Sequence, residues 1–306
     1  MTPLVEPFVA EPVGDLDAAT RVAQAAATRW GLGEPTLLRV GMNALFVAGE
    51  VVLRVGRTTV DPACAKGLLR VLAAHGVTVA RQIDSLGAGP EGLSVIAQER
   101  LVAAGDIDWA AVGDTVRRVH AIDPDEVAPF VPVPSCTTFR HWRLSALLDE
   151  VSTDPILQLG AAERTALRDG LHRVGAWDDA VRAGGEPLVL CHGDVHPGNV
   201  LPTADGTMLL DWDLLCTGPA AWDHSAMLTW ETRWGGTHGT YEAFAEGFGR
   251  DLRGDPLAAA LAEGRLLAAT LMRLRAGRLD PHALDEARRR LRYWLGDPDA
   301  PQWRAA

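Results

Sequence analysis

Lysine is almost missing from this sequence. Of 29 basic residues only Lys66 is a lysine, so any fixed cation that chemistry requires here is arginine unless it is Lys66. Arginine supplies a permanent planar charge with forked donors. Cysteine is scarce too. Cys64, Cys136, Cys191 and Cys216 are scattered with no CxxC pair, which excludes a zinc ribbon or a disulfide framework and makes them small core residues. No run of about 18 uncharged apolar residues occurs, and the opening "MTPLVEPFVAEP" has no basic stretch followed by an apolar core. Neither a membrane-spanning helix nor a secretory leader is expected, and the protein is read as cytoplasmic.

What the chain does have is size and negative charge. Its 306 residues, 47% hydrophobic and 23% charged, suffice for one large domain or two lobes. Net charge is −11 and uneven: residues 1–100 carry 10 acids and 9 bases, residues 101–306 carry 30 and 20. Such a surface disfavours nucleic acid and tolerates cationic small molecules.

Texture changes along the chain. "LDAATRVAQAAATRW" (Leu16–Trp30) has apolar spacing of 3 to 4 and predicts a helix closed by Gly31. "TLLRVGMNALFVAGEVVLRVG" (Thr36–Gly56) is β-branched and aliphatic with turn glycines, which predicts three strands in a meander. A helix over Asp61–His75 and strands over Val77–Ile83 and Leu93–Glu99 follow. From Gly105 the pattern is helical in "DWAAVGDTVRRVHAI", "FRHWRLSALLDEV", "AAERTALRDGLHRVGAWDDAV" and "PLAAALAEGRLLAATLMRLRAG". A small strand-rich lobe therefore precedes a larger helical one, with the join near Gln98–Gly105.

The stretch "LVLCHGDVHPGNVL" (Leu188–Leu201) sets polar groups densely into an apolar, turn-forming run. A short strand leads into His192-Gly193-Asp194, and a second apolar strand, "TMLLDWDLL", follows the turn Ala204-Asp205-Gly206. Asp194, Asn199 and Asp211 are thereby placed at neighbouring strand ends. Two carboxylates and a carboxamide suit a hard divalent cation, which takes oxygen ligands, with one carboxylate left for a reacting hydroxyl.

On these residues the sequence resembles the aminoglycoside phosphotransferase family, the small-molecule branch of the protein-kinase-like fold. The family's HGDxxxxN loop is matched by His192, Gly193, Asp194 and Asn199, and its metal-binding DW strand end by Asp211-Trp212. "NALFVAGEVVLRV", "ERLVAAG", "VRRVHAI" and "GPAAWDHSAM" match further family segments in order. The resemblance implies a bilobal α+β fold, with an antiparallel-sheet lobe over residues 1–100 and a mainly helical lobe over 101–306. It implies that Asp194 addresses the acceptor hydroxyl, and that Asn199 and Asp211 hold Mg2+ against the phosphates of ATP or GTP. Gly41 to Ala44, with Asn43 at the turn, would approach those phosphates, and Glu99 and Leu101 would offer backbone groups to the base. His192 and His196 are read as organising the loop by hydrogen bonds.

The sequence departs from that pattern at two places. The strand lysine of protein kinases is replaced by Arg54 in "VVLR", a change that keeps the charge. The glutamate expected to pair with it from the next helix is absent, and Ala65 or Lys66 stands in its place. Metallophosphoesterases share "GDxH", but no D-x-H precedes Asp194 and Val200, not His, follows Asn199. No segment from D-F-G to A-P-E marks a protein substrate.

For the acceptor, Trp230, Glu231 and Trp234 precede the Gly235-Gly236 break, where the resemblance places the pocket. Aromatic faces with a carboxylate suit a cationic or sugar-like ligand. Asp213 shares the face of Asp211 if the strand persists, and joins the acceptor candidates, whereas Asp223 is read as bracing the catalytic loop. The function expected is nucleotide-dependent phosphorylation of a small-molecule hydroxyl, foremost on an aminoglycoside-like or other cationic antibiotic, conferring resistance. A metabolic kinase of a sugar or amino alcohol and a nucleotide-binding pseudokinase scaffold are the alternatives. Neither nucleic acid nor membrane is an expected partner.

Overall fold

In the N-terminal third, strand alternation gives a sheet with two different faces. The structure, a computed structural model, describes residues 5–138, 143–175, 179, 181, 183 and 185–304. Strands β1 (Val9–Glu11), β2 (Thr36–Val40), β3 (Ala44–Ala48), β4 (Val51–Thr58), β5 (Gln82–Leu86) and β6 (Ser94–Glu99) form one antiparallel sheet, ordered β2-β3-β4-β6-β5 with β1 beside β4. β1 is three residues long, too short to show a period. The strand expected from Val77 starts instead at Gln82. Gly76 has φ +74° and Val77 N–H bonds Leu72 O at 3.0 Å, so these residues close a helix before pairing can begin.

Helix α1 (Leu16–Arg29) is capped by Asp15, whose side chain accepts from Asp17 and Ala18 N–H. Its buried Ala18, Ala19, Ala23, Ala26 and Ala27 pack on Ala44, Phe46, Leu53, Val55 and Val95 of the sheet. Small side chains let the helix lie close to the strands. Helix α2 (Ala65–Ala74) packs through Leu68 and Leu72 with Ile96. Because Ala44, Phe46, Leu53 and Val55 face α1, alternation turns Leu45, Val47, Val52 and Arg54 to the opposite face, towards the second lobe.

That lobe contains α3 (Trp109–His120), α4 (Pro124–Val127), α5 (Leu144–Thr153), α6 (Ala161–Val174), α7 (Ala221–His224), α8 (Trp230–Arg233), α9 (Thr240–Phe248), α10 (Pro256–Ala276) and α11 (Pro281–Trp294). Of the helix expected in "FRHWRLSALLDEV", Phe139–Trp142 lie outside the described residues and α5 is the remainder. The helix beginning "AAERTAL" halts at Val174, where Gly175 turns with φ +68°; part of its expected continuation lies outside the described residues. α10 runs through the centre of the core, burying Leu261, Leu266, Leu267, Leu271 and Leu274. Two short strand pairs carry the loops of interest: β7 (Val189–Cys191) with β10 (Cys216–Gly218), and the hairpin β8 (Val200–Thr203) with β9 (Gly206–Leu209). The result is the expected α+β arrangement of a sheet lobe and a mainly helical lobe. Among the described residues no helix is long and apolar enough to cross a membrane.

Candidate active site

β7 delivers the chain into His192-Gly193-Asp194. Gly193 has φ +92°, and a Cβ there would lie 1.9 Å from the Leu214 carbonyl oxygen, so only glycine passes. Asp223 on α7 accepts from His192 N–H and Gly193 N–H, each at 2.9 Å, and from His120 Nε2 at 2.9 Å. Burial opposes charge on both members of the His120–Asp223 pair. Their hydrogen bond nevertheless holds the Asp223 carboxyl below its usual range and lifts His120 to about 10. Asp223 thus braces the loop from beneath.

His192 is buried, and burial pushes its pKa down. Its Nδ1 accepts from Asp194 N–H at 3.2 Å while Nε2 donates to Leu210 O at 2.9 Å. A neutral imidazole therefore ties the loop to the residue preceding Asp211. The expectation of a loop-organising hydrogen bonder corresponds to this geometry.

The Asp194 carboxylate is held from both sides. Arg265 Nη1, on α10, lies 3.4 Å from Oδ1, and His196 Nε2 lies 3.4 Å from Oδ2. Asn199 Nδ2 donates to Asp194 O at 2.9 Å and to Oδ2 at 3.2 Å. Burial works against the charged carboxylate, but His196 and Arg265 outweigh it and hold Asp194 below the usual range. Arg265 is itself fixed by Ser225 Oγ at 2.5 Å, Gly193 O at 2.7 Å and Trp222 O at 3.3 Å, and lies over the Trp222 ring. Its aim at Asp194 is therefore set by the protein interior.

The β8–β9 hairpin brings Asn199 beside the segment carrying Asp211, with Leu210 N–H bonded to Asn199 O at 2.8 Å. Asn199 uses its amide nitrogen on Asp194, which leaves the carboxamide oxygen as its other polar group. Asp211 has φ +65°, one of two non-glycine residues in that region among those described. Such strain persists where surrounding structure over-determines it, and it is concentrated at functional sites. Asp211 Oδ1 is buried with no hydrogen-bond partner. An orphaned carboxylate oxygen, with the Asn199 carboxamide on the adjoining hairpin, fits a hard cation.

Asp213 departs from its expected place. β9 ends at Leu209, the chain turns left-handed at Asp211, and Trp212–Leu214 form a 3-10 turn, so the strand alternation that would have carried Asp213 to the acceptor side is broken. Its buried carboxylate instead receives Arg54 Nη2 on Oδ1 and Asn43 Nδ2 on Oδ2, the latter at 2.8 Å. Burial and the neighbouring Asp211 push this carboxyl up to about 6 against the pull of Arg54. Asn43, expected at the phosphates, is likewise turned inward over Gly56, where a Cβ would lie 2.0 Å from Asn43 Oδ1. Arg54 is on the face of β4 opposite α1. Glu99 N–H donates to Arg81 O at 3.0 Å and its carboxylate accepts from Arg81 N–H at 2.7 Å; Leu101 is half-buried at the start of the link between lobes.

Beside the loop lies a cavity of about 720 Å³, lined among others by Asp106, Trp109, Pro197, Trp230 and His238. Trp230 is thus on the wall of this cavity. Glu231 and Trp234 are not. Glu231 accepts from Tyr241 N–H at 3.0 Å and His238 Nδ1 at 3.2 Å, satisfying the start of α9. Trp234 stacks on Trp230, meets Trp303 edge-on and receives Arg290 over its face, so it is packing for the helical core. Both lost the acceptor role to local demands, a helix end to satisfy and an aromatic to bury.

The profile of the phosphotransferase enzyme family matches residues 45–267. The chain belongs to that family. Among solved structures it is similar to a choline/ethanolamine kinase family protein from Mesorhizobium loti (20% identity, 92% of this chain and 95% of that one, TM-score 0.60). It is also similar to the macrolide 2'-phosphotransferase MphH from Brachybacterium faecium (21%, 92% and 99%, 0.52) and to the GDP and kanamycin complex of APH(2")-IIia (13%, 91% and 99%, 0.64). A search among curated proteins finds no match. The fold is protein-kinase-like, and the enzyme is a small-molecule phosphotransferase.

Within this phosphotransferase, sequence reasoning overlooked Arg265, His120, Asp106 and Trp109. Arg265 did leave a signal, a lone arginine in the apolar helical run "LAEGRLLAATL". A charge buried on an apolar face requires a partner. His120 stands in "VRRVHAI", but nothing local says that it faces Asp223, 103 residues away.

Proposed function

We propose that this phosphotransferase moves the terminal phosphoryl group of ATP or GTP to a hydroxyl of a small organic cation of antibiotic size. The observation that carries the reading is the convergence of Asp194, Asn199 and the strained Asp211 between Arg54 above and the cavity beside Pro197. Asp194 receives the acceptor hydroxyl as a hydrogen bond. Arg265 and His196 keep its carboxylate charged, so it orients the hydroxyl and takes the proton as the new P–O bond forms. Little basicity is needed, because phosphoryl transfer runs through a loose transition state in which positioning and charge neutralisation dominate. Arg54 supplies fixed positive charge to the phosphates. Asn199 and Asp211 would hold Mg2+, which when bound neutralises charge on the transferring group.

The size and walls of the cavity support the acceptor class. About 720 Å³ suits a drug-sized molecule better than a free amino alcohol. Trp109 and Trp230 offer aromatic faces and Asp106 a carboxylate, a pairing that attracts an organic cation. Resistance to such an antibiotic is the physiological role this supports.

The test is turnover of ATP and GTP against a panel of aminoglycosides, macrolides, other cationic antibiotics, sugars and amino alcohols, with mass detection of a phosphorylated product. A product from a cationic antibiotic, with an acceptor KM that rises with ionic strength, is expected. Phosphorylation of neutral sugars alone would remove the cationic reading, and no nucleotide turnover with any acceptor would remove the whole.

A further inference from the structure

α2, the helix that follows β4, reads AKGLLRVLAA and contains no carboxylate. Arg54 is nonetheless paired. Its guanidinium is bound to Asp213 Oδ1, with side chains only 13% and 8% exposed. The other oxygen, Oδ2, takes Asn43 Nδ2 at 2.8 Å. One carboxylate from the helical lobe therefore holds two elements of the sheet lobe, the cation on β4 and the turn of the β2–β3 hairpin. That carboxylate stands two residues past Asp211, on the 3-10 turn that follows it.

We propose that Asp213 is the positioning residue for phosphate recognition, the counter-ion that fixes Arg54 and anchors the hairpin in place of an acid on α2. This rests on the phosphotransfer reading above. Burial makes the arrangement consequential, since a guanidinium shielded from water depends on its partner for place as well as for charge. Two links follow from the geometry. Asp211 and Asp213 share one short turn, so a change at the metal ligand is felt by Arg54. Asn43 and Arg54 share one acceptor, so the hairpin and the strand cation are set together.

The test is a double-mutant cycle on the full chain, with Asp213→Asn, Arg54→Met and the double variant. Binding of Mg·ATP, Mg·GTP, adenosine and guanosine is measured by calorimetry, and thermal unfolding checks that each protein is folded. Asp213→Asn is expected to weaken the nucleoside triphosphate by about tenfold or more, as for a lost hydrogen bond to a charged group, and to leave the nucleoside unchanged. The double variant is expected to bind no more weakly than Arg54→Met alone, because the acid acts through the cation. Asp213→Glu, which keeps the charge, should retain part of the phosphate-dependent affinity. Should Asp213→Asn not fold, Asp213→Ser takes its place with the same expectation.

Equal losses for nucleoside and nucleotide would reduce Asp213 to a packing residue and overturn the proposal. Additive losses in the cycle would overturn it as well, because the two residues would then act separately. A wild-type protein that binds neither Mg·ATP nor Mg·GTP would bring down the phosphotransfer reading itself, an outcome distinct from additivity in a protein that binds.

Discussion

Asp194 and Asp213 are both charge-paired to arginine and both on turns that leave short strands, yet the first side chain is 31% exposed, the second 8%, and their surroundings act in opposite directions. Asp194 has two cationic neighbours, Arg265 and His196, and is held below the usual carboxylate range. Asp213 has Arg54 and the neutral Asn43, with the like charge of Asp211 nearby, and is pushed up to about 6. Burial raises both; the charges nearby decide the net direction. The two carboxylates therefore suit different work. On the proposed reading, Asp194 stays ionised to address the acceptor, whereas Asp213 holds the phosphate side together.

The largest expected effect breaks the first half of this comparison. Asp194→Ala should lower kcat by about 10²- to 10⁴-fold while Mg·ATP binding, followed by calorimetry, stays near wild type. A residual kcat above roughly a tenth of wild type, outside that range, would remove Asp194 from the role.

Arg265→Met makes Asp194 more like Asp213 by taking away one of its two cations. It should cost about 10- to 100-fold in kcat, the equivalent of losing a hydrogen bond to a charged group, with nucleotide KM little changed. Arg265→Lys should recover part of it, because charge returns without the fork. An equal rise in nucleotide KM would mean that the whole loop has collapsed and that Arg265 has no particular bearing on Asp194.

How much of this was legible in the sequence depended on distance along the chain. Asp194, Asn199 and Asp211 lie within one loop–hairpin unit, so spacing alone put them together. The meander 36–58 and the helices α1, α3 and α10 follow from period 2 and period 3 to 4 patterns. Asp213 was misplaced because alternation assumes a strand, and the backbone at Asp211 leaves the strand conformation. Glu231 and Trp234 were misread because a carboxylate satisfying a helix end and a tryptophan filling a core look, in sequence, like the walls of a pocket. Arg265 reaches Asp194 across 71 residues, and no local pattern encodes that contact.

A smaller effect concerns the cavity. Trp230→Ala should raise the KM of a cationic acceptor by roughly fivefold, in the range of a lost cation–π contact, without altering nucleotide KM. Glu231→Gln should act mainly on stability, since its partners are at the start of α9. If Glu231→Gln changes acceptor KM more than Trp230→Ala does, the wall of the pocket has been assigned to the wrong residue.

Asp223, fully buried, extends the comparison to a third carboxylate, whose partner His120 is lifted to about 10. A histidine raised in the folded state from its ordinary value of about 6.5 stabilises fully below that value and loses the contribution as pH rises towards 10. The Tm of the wild type should therefore decline across that window, and His120→Gln should be less stable at neutral pH with a flatter slope. Identical slopes in the two proteins would show that His120 is not charged in the folded state.

The proposed metal ligand, Asp211, tests the account most directly. Nucleotide binding by wild type and Asp211→Asn is titrated with and without Mg2+, using ATP and GTP. The account predicts that Mg2+ strengthens binding to the wild type and that Asp211→Asn loses most of this enhancement while retaining the metal-free affinity, since an anionic oxygen ligand has been exchanged for a neutral amide. An unchanged Mg2+ enhancement in Asp211→Asn would contradict the assignment of this loop as the phosphoryl-transfer centre.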